Sequence, residues 1–130
     1  MKNYLLDSNL ILRIITGDNA ILTNQAKNVF GEAAKGNFKL TITPMVIAEC
    51  VYVLTSKNSY NLDRAKVVTA IQVIFNQKNV SVEEIGTILE SLDLFSSTNL
   101  DFADCYLILK SRLAEFDGVK SFDKDLLKQL

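Results

Sequence analysis

Short strand-like runs alternate with helix-length segments along the whole chain, and that alternation confines it to one class of fold. Residues 3–7, around Tyr4-Leu5-Leu6, read as a short buried strand, and residues 38–43 read as a second with Leu40 and Ile42 on one face. Residues 119–122 read as a last strand, while residues 79–82 suit either a brief strand or a helix entry. Helical periods fill the intervals. Asp7-Ser8-Asn9 offers caps for a helix through Leu10 to Ile15, and Leu22, Ala26, Val29, Phe30 and Ala33 mark one over residues 21–35. Pro44 suits the first turn of a helix to about Ser56, apolar almost all round and therefore expected to be buried. Further helices are expected over residues 62–77, from a capping-box spacing at Ser81 and Glu84 to about Ser96, and over residues 101–115. Strands separated by helices predict an α/β fold, a small parallel sheet covered by helices, whose sites form at the carboxyl ends of strands.

Composition narrows the chemistry. The 130 residues predict one domain, 1–130, and the 48% hydrophobic content supplies a sizeable core. Five Gly and one Pro leave little for linkers. No signal-peptide pattern and no membrane-length apolar run is present, so a soluble, cytoplasmic protein without membrane contact is expected. There is no His, which removes Ser-His-Asp, Cys-His and two-histidine catalysis, and the two cysteines form no CxxC. Hydrolysis by such a chain falls to carboxylates and metal. The net charge of −1 is not that of a bulk nucleic-acid binder, yet leaves room for an enzyme acting on one.

Four acids stand beside apolar elements. Asp7 ends the first apolar run, Glu49 interrupts Val46-Ile47-Ala48 and Cys50-Val51-Tyr52, Asp104 lies in Phe102-Ala103-Asp104-Cys105, and Asp123 follows the last strand-like run. A buried carboxylate needs a proton, a cation or hydrogen bonds, so the four together suggest a divalent-metal site. Each also has a plainer reading. Asp7 and Asp123 suit helix caps, and Asp101 with Asp104 suits a helix start where negative charge is favourable. Glu49 has no cap to explain it; a buried ion pair with Arg13 or a Lys is the alternative. Cys50 and Cys105, each following an acid, read as small core residues turned away from it.

These residues in this order resemble the PIN-domain family, in particular the VapC-like toxins of toxin–antitoxin pairs. The matching segments are Leu5-Leu6-Asp7-Ser8-Asn9, Pro44-Met45-Val46-Ile47-Ala48-Glu49 with Tyr52-Val53-Leu54, Leu100-Asp101-Phe102-Ala103-Asp104, and Ser121-Phe122-Asp123-Lys124-Asp125. The resemblance implies a three-layer α/β/α sandwich and a metal-dependent endoribonuclease. It assigns Asp7, Glu49 and Asp104 as core acids, Asp123 as a more variable fourth, Asp101 as an accessory acid, and Ser8, Asn9 and Ser121 as site support. It further implies an RNA substrate, a cognate antitoxin and a homodimer.

All-carboxylate ligation suits Mg²⁺, with Mn²⁺ able to substitute. In-line attack of a metal-activated water at phosphorus would leave a 5′-phosphate and a 3′-hydroxyl. Arg13 is a candidate phosphate contact, weighed against a surface charge on the first helix, which is slightly preferred. The alternatives are a catalytically inactive RNA- or protein-binding module and a metal-dependent DNA nuclease. A dehalogenase-type phosphatase would need an acid where Asn9 stands.

Overall fold

Three parallel strands, ordered β1-β2-β3, form the only sheet in the computed structural model, which describes residues 1–130. They are β1 (Asn3–Leu5), β2 (Lys39–Ile42) and β3 (Val80–Val82), with Tyr4 opposite Leu40 and Leu40 opposite Val80. Parallel neighbours need long crossovers, and two helices fill each. The first crossover carries α1 (Ser8–Thr16) and α2 (Ala20–Ala34), the second α3 (Pro44–Thr55) and α4 (Arg64–Phe75). Together these elements make one compact unit, Met1–Glu83. A second unit, Glu84–Leu130, holds α5 (Ile85–Ser97), α6 (Phe102–Lys110) and α7 (Lys124–Leu127). The fold class is the α/β one expected.

In the first unit, strand alternation separates two faces. Leu40 and Ile42 are buried on one; on the other, Thr41 donates to Asn3 at 2.7 Å and shares a hydroxyl contact with Ser81 at 3.2 Å. Side-chain caps define three helix starts: Asn19 accepts from the Leu22 amide, Thr43 from Val46 and Asp63 from Lys66. The core of this unit gathers Ile11, Leu12, Phe30, Ile47, Leu54, Val67 and Ile71. In the second unit α5 lies against α6, where Phe95 and Phe102 meet edge to face at 6.2 Å among buried Ile88, Leu92, Cys105 and Ile108.

Four local expectations change. The first strand is not buried: Leu5 is 74% exposed, and only Leu6, past the strand's end, is covered. An edge strand of three residues has one neighbour and one open face, which a short apolar run cannot reveal. Helix α3 buries Ile47, Cys50, Val51 and Leu54 but leaves Met45, Glu49 and Tyr52 in solvent, because a mixed apolar surface does not say which side meets the core. Residues 119–122 form no strand; the second unit contains no other strand to receive their backbone hydrogen bonds. Ser81 pairs within β3 and caps nothing, while Glu84 heads α5 in the left-handed region (φ 55°) without a side-chain cap.

Candidate functional site

Asp7 takes the N-cap position of α1, yet its side chain caps nothing. The Asp7 backbone carbonyl accepts from the Leu10 amide, and its exposed carboxylate accepts instead from Asn9 Nδ2 at 3.2 Å. The plainer reading of Asp7 as a capping side chain therefore fails, and Asn9 orients it. Glu49 is exposed on α3, so burial does not single it out as the sequence suggested. The start of α1 and the middle of α3 meet where the Cys50 thiol points at the Ser8 carbonyl, 3.8 Å away, with Ser8 itself buried. Burial pushes that thiol up to about 12, and the charges of Glu49 and Asp7 push in the same direction. Both acids thus act on one buried thiol. Cys50 and Cys105 form no disulfide and are fully buried core residues, as expected.

The second unit brings together the other three acids. Asp101 is the N-cap of α6, again without a side-chain cap, and Asp104 lies half-buried in its first turn. Burial raises the Asp104 carboxyl above the usual range, and the neighbouring Asp101 and Asp123 charges raise it further. Asp123 does cap: its Oδ1 accepts from the amides of Asp125 and Leu126, opening α7. Ser121 accepts from the Asp123 amide at 3.0 Å and so holds that residue's backbone. No three of the chain's Asp, Glu and Cys side chains stand close enough together to hold a metal ion.

None of Asp7, Glu49, Asp101, Asp104 and Asp123 has an ion-pair partner; the chain's ion pairs engage Asp18, Glu32 and Glu84 instead. All five present oxygen donors alone, and burial with the Asp101 and Asp123 charges raises the cost of ionising Asp104. Carboxylate oxygens are the donors that a hard divalent cation takes, and a cation beside Asp104 would offset the charges that oppose its ionisation.

Arg13 sits differently from an exposed phosphate contact. Its Nη1 donates to Asp18 at 2.7 Å, Tyr60 and Thr16 donate to the same carboxylate, and its Nε is buried without an acceptor. Sequence reading missed this group. Asp18 follows the Gly17 turn closely, but nothing local signals Tyr60, 42 residues further on. It also missed Glu84, whose carboxylate receives the Tyr106 hydroxyl at 2.8 and 2.9 Å and pairs with Lys110.

The fold and its acids define an α/β protein whose polar chemistry rests on carboxylates, with no histidine and no accessible thiol. The chain belongs to the PIN domain family, whose model matches residues 4–129. It is similar to the VapC ribonuclease of Aquifex aeolicus (strain VF5), with 27% identity over 124 residues that cover 95% of this chain and 90% of that protein.

Proposed function

We propose that residues 1–130 work as one nuclease domain: a divalent-metal-dependent endoribonuclease, the toxin of a toxin–antitoxin pair. The observation that carries this reading is Asp104, half-buried in the first turn of α6 with no cation beside it, its carboxyl raised by burial and by the Asp101 and Asp123 charges. Asp7, Glu49, Asp104 and Asp123 would hold the metal, with Asp101 as an accessory ligand. Bound Mg²⁺, or Mn²⁺ in its place, would supply a water of lowered pKa and positive charge beside the phosphate. The chain's own residues do the rest. Asn9 fixes the Asp7 carboxylate, buried Ser8 anchors the α1 start against α3, and Ser121 steadies Asp123. Cleavage leaves a 5′-phosphate and a 3′-hydroxyl. Arg13, committed to Asp18, braces α1 in this reading and does not grip phosphate.

A groove of about 410 Å³ between α1 and α2 supports a protein partner. Leu10, Leu22, Ala26 and Val29 make it apolar, and Arg13 lines it. A segment of the cognate antitoxin with an apolar body and one hydrogen-bond acceptor fits that lining. The toxin acts in the cytoplasm as a homodimer; no helix is long and apolar enough to cross a membrane.

The test is incubation of total RNA with purified protein and Mn²⁺ or Mg²⁺, beside an EDTA control and Asp7→Asn. Discrete products that need both metal and Asp7 are expected. Cleavage that survives EDTA overturns the metal role, and DNA cleavage without RNA cleavage overturns the substrate.

A further inference from the structure

Glu49 does not stand alone on the open face of α3. Met45 is 82% exposed and Tyr52 73% exposed, one turn before and one turn after it. At about 100° per residue, positions 45, 49 and 52 fall within an arc of roughly 60°, opposite buried Ile47, Cys50, Val51 and Leu54. The Tyr52 ring has no ring partner and its hydroxyl no hydrogen bond, so nothing within the chain explains a large aromatic held in water there. Elsewhere the tyrosines are engaged: Tyr4 meets Phe38, Tyr60 donates to Asp18 and Tyr106 to Glu84.

We propose that Tyr52 is a substrate-positioning residue that stacks a nucleobase of single-stranded RNA beside the phosphate served by Glu49, with Met45 extending the apolar platform. This rests on the nuclease reading above. Stacking on an aromatic face is tolerant of base identity and needs no positive charge, which suits a chain of net charge −1. A second copy of the chain fits the stripe poorly. A two-fold contact would bring the same patch of each copy together and desolvate two Glu49 carboxylates against each other.

The experiment is steady-state cleavage of mixed-sequence single-stranded RNA in Mn²⁺ by wild type, Tyr52→Phe and Tyr52→Ala. Tyr52→Ala is expected to raise KM by about tenfold or more with a far smaller change in kcat, while Tyr52→Phe, which keeps the ring, stays within about twofold. An unchanged KM in a folded Tyr52→Ala protein overturns the stacking role. Light scattering runs alongside; a Tyr52→Ala variant that changes oligomeric state assigns the stripe to self-association and overturns it too. Binding of the same labelled RNA, followed by anisotropy with Ca²⁺ in place of Mn²⁺, separates the two readings. If wild type binds but cleaves nothing, the nuclease reading fails alone. If it cleaves while Tyr52→Ala binds as tightly as wild type, the stacking fails alone. If it neither binds nor cleaves, both fail.

Discussion

Each unit of the chain holds one carboxylate braced by a tyrosine and a cation, and each holds others with no cation at all. In Met1–Glu83 the braced acid is Asp18, joined by Arg13 and Tyr60; Asp7 and Glu49 are among those without a cation. In Glu84–Leu130 the braced acid is Glu84, joined by Lys110 and Tyr106; Asp101, Asp104 and Asp123 are among those without a cation. The braces lower the pKa of their carboxyls, Asp18 to about 2, whereas Asp104 moves the opposite way. A carboxylate stabilised by fixed partners has little left to offer a ligand. One that is raised by burial and by its own kind gains most from a cation. In the proposed function the braced acids are structural and the raised one is left for the metal.

The sharpest way to break that division is Asp104→Asn. Removing a charge opposed by Asp101 and Asp123 is expected to leave the unfolding midpoint unchanged or raised, while metal-dependent RNA cleavage is lost. Urea titration and a cleavage assay on the same preparation check both halves. Full cleavage by folded Asp104→Asn would remove it from the working set; a large fall in stability would make it structural.

How much of this division was legible in sequence depends on range. The first strand, the central strand and six of the helices follow local periodicity, and Thr43-Pro44 announces α3 without ambiguity. The acids proposed for the metal stood out because each interrupts or ends an apolar pattern. The braces did not, because they join residues brought together by the fold: Asp18 with Tyr60, Glu84 with Tyr106. The open face of α3 escaped for a related reason. Met45 and Tyr52 count as apolar in any pattern, and only packing reveals that the core takes the other side. Residues 119–122 looked like a strand since Val119 and Phe122 have the right character, but strand formation requires a neighbour, which no local pattern supplies.

A smaller effect, in the opposite sense to Asp104→Asn, is expected at the second brace. Tyr106→Phe removes a hydroxyl that donates to a charged acceptor on another helix, at a partly exposed position. The loss should be about 1 kcal/mol of stability, with cleavage per folded molecule retained. Chemical denaturation measures the first and active-site-normalised turnover the second. Lost cleavage with unaltered stability would place Tyr106 among the working residues and blur the comparison.

The finest test concerns acid titration of the first brace. Tyr60, Arg13 and Thr16 hydrogen bonds hold the Asp18 carboxyl at about 2, below its ordinary 3.8. A depressed folded-state value means that the unfolded chain binds the proton more readily, so this contribution is complete above the ordinary value and is lost as pH falls toward 2. Glu84 acts in the same direction and Asp104 in the other, so the wild-type curve alone mixes them. The difference between wild type and Asp18→Asn isolates Asp18. That difference should be constant above about pH 5 and shrink steadily as pH falls through the interval from about 4 to 2. Denaturation midpoints of both proteins across this range read it directly; a difference that does not change with pH would mean that the Arg13–Asp18–Tyr60 group contributes packing without a charge-dependent part.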